Sequence, residues 1–186
     1  EEHSPVELAM LLAGLVESFR LRSSGSGPRF TLDGAGDPAT VLGSADRLTQ
    51  AFENLIANAA SFSPPDGTVS VTLASGGGHA VVTVADEGPG IPEEHRERIF
   101  TRFFSWRPAG EGSGHTGLGL AIVRAIVDGC GGRAWYRSRE PRGTEVIVSL
   151  PLLPSSPSRP SRGPESPGAA APEDGRPVSA TAAKVR

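Results

Sequence analysis

The sequence predicts an α+β fold, a two-layer sandwich in which about three α-helices cover one face of a mixed β-sheet. Apolar residues recur at helical spacing in three separate segments. Short alternating apolar runs fall between and after these segments, in pairs joined by glycine-rich turns. The 186 residues leave room for one domain with a substantial core.

The first helical segment runs from about residue 5 to residue 20. Ser4 and Pro5 suit an N-cap and a first helical turn, so we expect the helix to begin there. Its apolar face consists of Leu8, Leu11, Leu12, Leu15, Val16 and Phe19. A run of serine and glycine ends it, and two short strands are predicted at Arg29 to Leu32 and at Thr40 to Leu42.

A second helix should begin at Ser44, with Asp46 in its first turn, and end before Pro64-Pro65. Its apolar face contains Leu48, Phe52, Leu55, Ile56, Ala59 and Phe62. Asn54, Asn58 and Ser61 lie on a different face. Asparagine is a mediocre helix former, so these side chains indicate either a functional surface or a solvated polar face.

The remaining elements follow in order. Residues 68–74 and 79–86 alternate as a hairpin, and Asp86 stands where its second strand ends. Ile91-Pro92-Glu93-Glu94 predicts a helix start leading toward Phe104. After a glycine cluster, Leu118, Ile122, Val123, Ile126 and Val127 predict a third helix. Two more strands are expected at residues 133–138 and 144–150.

Composition excludes several functional classes. The net charge of −3, without a basic cluster, gives no reason to expect a nucleic-acid partner. Lys184 is the only lysine, so cationic phosphate contacts must come from arginine. Cys130 is the only cysteine, which excludes an internal disulfide and fits a reducing compartment. No apolar run approaches the roughly 20 residues of a bilayer span. Residues 154–186 are rich in proline, serine and alanine and predict a disordered tail.

Three polar features suggest a nucleotide site. Asp86 at a strand end, beside Gly88 and Gly90, can accept a hydrogen bond from an exocyclic amine and so discriminate adenine from guanine. The carboxamide oxygen of Asn58 is a suitable ligand for Mg²⁺ shared with substrate phosphates. A helix that begins near Gly117 offers N–H groups to phosphate. Each signal is weak alone, and their order and spacing make them strong.

These motifs resemble the ATP-binding catalytic domain of bacterial two-component sensor histidine kinases, within the gyrase, Hsp90, histidine kinase and MutL superfamily. The resemblance covers roughly residues 5–153 and implies the Bergerat ATP-binding fold. The matching segments are FENLIANAASFS at 52–63, DEGPGI at 86–91, IFTRFF at 99–104, TGLGLAI at 116–122 and RGTEVIVSLP at 142–151.

The resemblance also implies roles for individual residues. Asn58 would be the Mg²⁺ ligand, and Asn54 would support it and approach the phosphates of ATP. Asp86 would bind the adenine amino group directly and through a water shared with Thr144. Residues 105–115 would form a mobile lid over the nucleotide. The other expected nucleotide contacts within the motifs are Gly88, Gly90, Ile91, Phe103, Thr116, Gly117, Leu118, Gly119 and Leu120.

Two positions depart from the family pattern. Ser61 stands where the family commonly has a lysine three residues after the metal-binding asparagine. Arg102 or Arg107 would be the substitute, because arginine suits phosphate geometry, and solvated surface arginines are the competing explanation. His115 replaces the first glycine of the second glycine motif, which affects the shape of the lid hinge. Asn54 stands where ATP-hydrolysing relatives place their general base, so bulk ATP hydrolysis is disfavoured.

The function implied is transfer of the γ-phosphoryl group of ATP to a histidine on a separate dimerisation domain. That domain would precede residues 1–24, which we expect to form a helix and link, while residues 25–153 bind ATP. The resemblance also implies a homodimeric parent protein that is anchored in the membrane and has this domain in the cytoplasm. Its partner would be a response regulator. The alternatives are a serine kinase of the anti-sigma-factor type and a degenerate module that binds nucleotide or a partner.

Overall fold

The computed structural model describes residues 3–23, 25–36, 38–104, 106 and 117–154. Along these residues the strands are β1 (Ser4–Glu7), β2 (Arg29–Asp33), β3 (Thr40–Gly43), β4 (Thr68–Gly76), β5 (His79–Ala85), β6 (Arg133–Ser138) and β7 (Thr144–Pro151). The helices are α1 (Leu8–Arg22), α2 (Ala45–Phe62) and α3 (Gly119–Gly129), with a 3-10 turn at Glu93–His95. None of these described helices is long and apolar enough to cross a bilayer.

A mixed five-stranded sheet supports the fold. Its strand order is β2-β4-β5-β7-β6, with β2 parallel to β4 and the other neighbours antiparallel. Val69, Val71 and Leu73 of β4 are buried, and the residues between them are more exposed. Because side chains alternate across a strand, this pattern assigns one face of the sheet to the core. Buried residues of all three helices belong to the same core, which confirms the predicted α+β sandwich.

Helix α2 forms as its sequence predicts. The Ser44 side chain accepts a hydrogen bond from Arg47 N at 3.4 Å, and Asp46 lies in the first turn. The helix ends at Phe62, before the two prolines. Leu48, Phe52, Leu55, Ile56 and Ala59 of its apolar face are buried in the core. Asn54 and Asn58 lie on another side, which borders a cavity together with Asp86 after β5.

The predicted start of the first helix was wrong. Residues 4–7 form β1, which pairs antiparallel with β3, and α1 begins at Leu8. The Glu7 carboxylate caps α1 by accepting from Ala9 N, and it also accepts from Ala39 N and from Thr40 Oγ1 at 2.9 Å. These contacts to a segment more than thirty residues away override the local preference of Pro5 for a first helical turn.

Helix α1 is part of the same core as the sheet. Leu8, Leu12 and Val16 are buried against it, and residues 1–154 form one compact unit. The predicted boundary at residue 24 stays a prediction. The predicted tail at 154–186 stays a prediction, because residues 155–186 lie outside the described part of the chain.

Candidate functional site

A cavity of about 350 Å³ lies between α2, the loop after β5 and the start of α3. Its volume falls in the range of small-molecule sites. Most of the predicted nucleotide contacts that the structure describes line it. The lining consists of Asn54, Ala57, Asn58, Phe62, Asp86, Pro89, Gly90, Ile91, His95, Ile99, Phe104, Trp106, Gly117, Leu118, Gly119, Leu120, Ile122, Thr144 and Val146.

Asp86 lines this cavity and is held by main-chain hydrogen bonds. Its Oδ1 accepts hydrogen bonds from Gly88 N at 2.9 Å and from Thr144 N at 3.1 Å. Its own N–H donates to Thr144 O at 2.9 Å. The residue is only 6% exposed, and these two hydrogen bonds from described residues both fall on Oδ1 of the carboxylate. The Thr144 contact is thus a direct main-chain bond, and Thr144 itself also borders the cavity.

The burial of Asp86 raises the pKa of its carboxyl above the ordinary value. The hydrogen bonds from Gly88 and Thr144 and the charge of Arg139 act in the opposite direction and are smaller. Burial disfavours the charged form because it removes water from the carboxylate. A ligand that donates a hydrogen bond to this group would replace part of the lost solvation.

Two glycines permit the close packing around Asp86. A Cβ at Gly88 would lie 2.7 Å from Phe62 O and 2.9 Å from Asp86 Oδ1. A Cβ at Gly143, where φ is +115°, would lie 2.1 Å from Asp86 O. We predicted Gly88 as a nucleotide contact, but it does not line the cavity. Its N–H instead donates to the Asp86 carboxylate. Gly143 was missed, and its place in the turn before β7 was its sequence signal.

Asn54 and Asn58 line the cavity from α2. The Asn54 Nδ2 atom is buried and has no hydrogen-bond partner among the described residues. A buried donor without a partner is rare in folded proteins, and here it borders a cavity. This observation argues against a solvated polar face. Ser61, at the position of the family lysine, donates from Oγ to Asn58 O at 2.8 Å, back onto its own helix.

The start of α3 also lines the cavity. Gly117, Leu118, Gly119 and Leu120 all line it, and α3 begins at Gly119 without a side-chain cap. The first N–H groups of a helix have no intrahelical partner and suit an anion. Gly117 adopts φ +66°, and a Cβ there would lie 2.8 Å from Phe104 O. Only glycine fits that position without strain.

Two further predicted site residues, Phe103 and Arg102, are not brought to the cavity. Phe103 has φ +64° and is 79% exposed, so its side chain is turned outward and Phe104 takes its place in the wall. Arg102 is also exposed and does not line the cavity. Thr116 lies outside the described residues, as do Arg107 and, except for Trp106, the predicted lid at 105–115.

Aromatic and apolar residues complete the wall. His95 packs against Phe104, with ring centroids 5.4 Å apart, and against Trp106, at 5.6 Å. Sequence reasoning did not single out His95 or Trp106, because neither follows a helical or strand period. Phe62 was assigned to the apolar face of the second helix, and Ile99 to the segment at 99–104, without an individual role for either residue. No lysine or arginine lines the cavity in the described part of the chain.

The donor set fits Mg²⁺ held together with a phosphate ligand. No group of three or more histidine, cysteine, aspartate or glutamate side chains that could hold a metal occurs among the described residues. Mg²⁺ is usually bound through one or two protein oxygens plus substrate phosphates. The Asn58 carboxamide offers one such oxygen, and the unpartnered Asn54 Nδ2 offers a donor to a phosphate oxygen.

Comparisons with known proteins identify the family to which this chain is similar. Residues 43–154 match the family described as histidine kinase-, DNA gyrase B-, and HSP90-like ATPase. The probable sensor histidine kinase TcrY of Mycobacterium tuberculosis is 36% identical over 152 residues, which cover 81% of this chain and 31% of TcrY. The chain therefore spans about a third of the length of the curated relatives that it matches.

Solved structures give the same result. The mycobacterial sensor histidine kinase MprB superposes with a TM-score of 0.69 at 35% identity, covering 82% of this chain and 99% of that one. Full-length ShkA in complex with AMPPNP superposes with a TM-score of 0.68 at 28% identity, covering 82% of this chain and 32% of ShkA. These similarities support the predicted Bergerat-type fold.

Proposed function

The chain belongs to the histidine kinase-, DNA gyrase B-, and HSP90-like ATPase family, and on that premise we propose that it is the ATP- and Mg²⁺-binding catalytic domain of a sensor histidine kinase. One observation supports the proposal above the others. A single cavity is lined by the Asp86 carboxylate, by the Asn54 and Asn58 carboxamides and by the start of α3. In the proposed complex, Asp86 defines the base end of this cavity, the Asp86 end, and the asparagines with the start of α3 define its phosphate end, the Asn54 end. That polarity matches a molecule with an amine-bearing base and an anionic chain.

At the Asp86 end, the carboxylate accepts a hydrogen bond from the adenine amino group. Oδ1 is already engaged by two main-chain N–H groups, which fix the direction of the carboxylate before the base arrives. Ile91 and Phe62 line the same cavity and offer apolar surface to the base. Guanine presents a carbonyl oxygen in place of the amine, so an ionised Asp86 disfavours it.

At the other end, the first N–H groups of α3 and the Asn54 Nδ2 donor hold phosphate oxygens. Asn58 supplies the oxygen that holds Mg²⁺. When bound, Mg²⁺ neutralises phosphate charge and orients the γ-phosphoryl group for in-line transfer. The contribution of these residues to catalysis is positioning and electrostatic stabilisation.

The acceptor is a histidine supplied by a separate dimerisation domain, in the same or a partner chain of a homodimeric parent protein. A response regulator then receives the phosphoryl group. We further propose that this domain is cytoplasmic and that the parent is anchored in the membrane by segments outside the given sequence. The named relatives are sensor histidine kinases, and they favour this function over a serine kinase of the anti-sigma-factor type.

The test uses the full chain together with the phosphoacceptor hairpin of a related kinase, supplied in trans with radiolabelled ATP and Mg²⁺. We expect acid-labile phosphate on the hairpin, lost when its acceptor histidine is replaced. Measurable ATP binding without acid-labile product across several hairpins would refute the kinase assignment. No ATP binding at all, with or without Mg²⁺, would leave a degenerate partner-binding module.

A further inference from the structure

We propose that Arg139 is a positioning residue for Asp86, which orients the adenine-recognition carboxylate and keeps it selective for adenine. The proposal rests on the nucleotide site described above and deepens it. Arg139 does not line the cavity, so its effect is exerted through Asp86.

Arg139 is connected to Asp86 directly, through its side chain, and indirectly, through the turn between β6 and β7. Arg139 follows the end of β6, and its N–H donates to Gly143 O at 3.1 Å, which closes the turn between β6 and β7. Its Nη1 donates to Asp86 O at 3.4 Å. The same turn places Gly143 so close to Asp86 O that a side chain would not fit. The next residue, Thr144, donates to Asp86 Oδ1. The turn between β6 and β7 therefore packs directly against Asp86.

Arg139 also affects the charge of the carboxylate. Its guanidinium lowers the pKa of Asp86, against the larger effect of burial. The carboxylate of Glu87, the neighbouring acid, accepts a hydrogen bond from Thr68 N at 3.2 Å, at the start of β4. His95 is the other titratable side chain that lines the cavity in the described part of the chain. Arg139 is the cation whose charge favours ionised Asp86.

Ionisation of Asp86 decides which base is accepted. A carboxylate can only accept hydrogen bonds, so it pairs with the amine of adenine and repels the carbonyl oxygen of guanine. A protonated carboxyl can donate to that oxygen. Loss of the Arg139 charge should therefore weaken ATP binding and reduce selectivity against GTP, and both effects should grow as pH falls.

The experiment compares the full chain with Arg139→Gln, Arg139→Lys and Arg137→Gln. Arg137 is the matched control, because it lies two residues earlier on β6 and its Nε donates to Glu145 Oε2 at 2.8 Å rather than to Asp86. The affinities for ATP and GTP are measured by calorimetry across the acidic and neutral range. The titration of the Asp86 carboxyl is followed by carbon NMR in the nucleotide-free protein.

In Arg139→Gln we expect ATP affinity to fall roughly two- to fivefold, with the acid limb of its pH profile and the Asp86 titration both moved to higher pH. Arg139→Lys should keep the titration of the Asp86 carboxyl close to that of the unmodified chain. Arg137→Gln should change neither this titration nor the pH profile of ATP affinity. An unchanged Asp86 titration in Arg139→Gln would overturn the inference, even if that variant binds ATP less tightly. An equal shift in Arg137→Gln would overturn it too. Failure of the unmodified chain to bind ATP would refute the proposed function, while the titration would still decide the role of Arg139.

Discussion

The two ends of the cavity differ in how their polar groups are satisfied. At the Asp86 end, the carboxylate is held by two main-chain N–H groups and its backbone by Thr144 and Arg139. At the Asn54 end, a buried donor has no partner among the described residues. Both ends have polar side chains that border the same cavity. They differ in whether those side chains already have hydrogen-bond partners among the described residues.

This difference indicates what each end does before a ligand arrives. The Asp86 end is preorganised, because main-chain N–H groups of the protein itself fix the direction of the carboxylate. The Asn54 end is left for a ligand to complete, and a buried unpaired donor costs about 1–3 kcal/mol of stability until then. We therefore expect substitutions at the two ends to act differently on function and on stability.

The largest expected effect is at the metal-binding position. Asn58→Ala should lower Mg²⁺-dependent phosphotransfer more than about 100-fold, because the lost oxygen would hold the ion that neutralises phosphate charge. Its thermal unfolding should change little. Gln50→Ala is the matched control, since it removes a carboxamide from the exposed side of the same helix. Unchanged phosphotransfer in Asn58→Ala would mean that Asn58 is not the metal ligand.

The next effect is on base recognition. Asp86→Asn should weaken ATP binding by about 10- to 100-fold, because the amide presents a donor where adenine needs an acceptor. The retained Oδ1 can still accept from Gly88 and Thr144, so the fold should persist. Calorimetric titration measures the change, with the exposed Asp66→Asn as control. Equal ATP affinity would remove Asp86 from the binding site.

Stability should respond in opposite directions at the two ends. Asp86→Ala leaves two buried N–H groups without an acceptor and should lower the free energy of unfolding by about 2 kcal/mol. Asn54→Leu removes an unpaired donor and should raise that free energy by up to about 1 kcal/mol, while it weakens phosphate binding. Urea unfolding measures both. A loss of stability in Asn54→Leu would show that Nδ2 already has a partner in the nucleotide-free protein.

The smallest expected effect is the pH dependence of stability. The pKa of Asp86 is raised in the folded chain, so the folded state holds this proton to higher pH than the unfolded state. The stabilisation from that proton is complete below the unfolded pKa and is lost as pH rises through the folded pKa.

Compared with Asp86→Asn, the unmodified chain should therefore become relatively more stable as pH falls from about 7 to about 4. Urea unfolding of the two proteins at several pH values checks this. Parallel curves would show that Asp86 ionises normally in the fold.

Much of the architecture was predictable because it depends on local signals. Ser44, Asp46 and the paired prolines define both ends of α2, and the alternation in residues 68–85 predicts the hairpin of β4 and β5. Strand β1 was not predictable in this way. Ser4-Pro5 favours a helix start locally, and only the pairing with β3 and the bonds of Glu7 make it a strand.

The site shows the same division. Motif spacing selected Asp86, Asn54, Asn58 and the start of α3, and all of them line the cavity, while their roles stay predictions. It selected Phe103 instead of Phe104, since two adjacent phenylalanines are equivalent until the backbone angle at residue 103 is known. It gave no indication of Arg139, whose contact with Asp86 joins residues 53 positions apart.

The sequence by itself determined three helices apart from the start of the first, most strands, the family resemblance and the chemical kinds of group that line the cavity. The tertiary structure alone decided which of those groups are satisfied by the protein and which await a ligand. The reason is physical: propensity, capping and periodicity are properties of neighbouring residues, whereas burial and hydrogen-bond completion depend on segments that meet only in the folded chain.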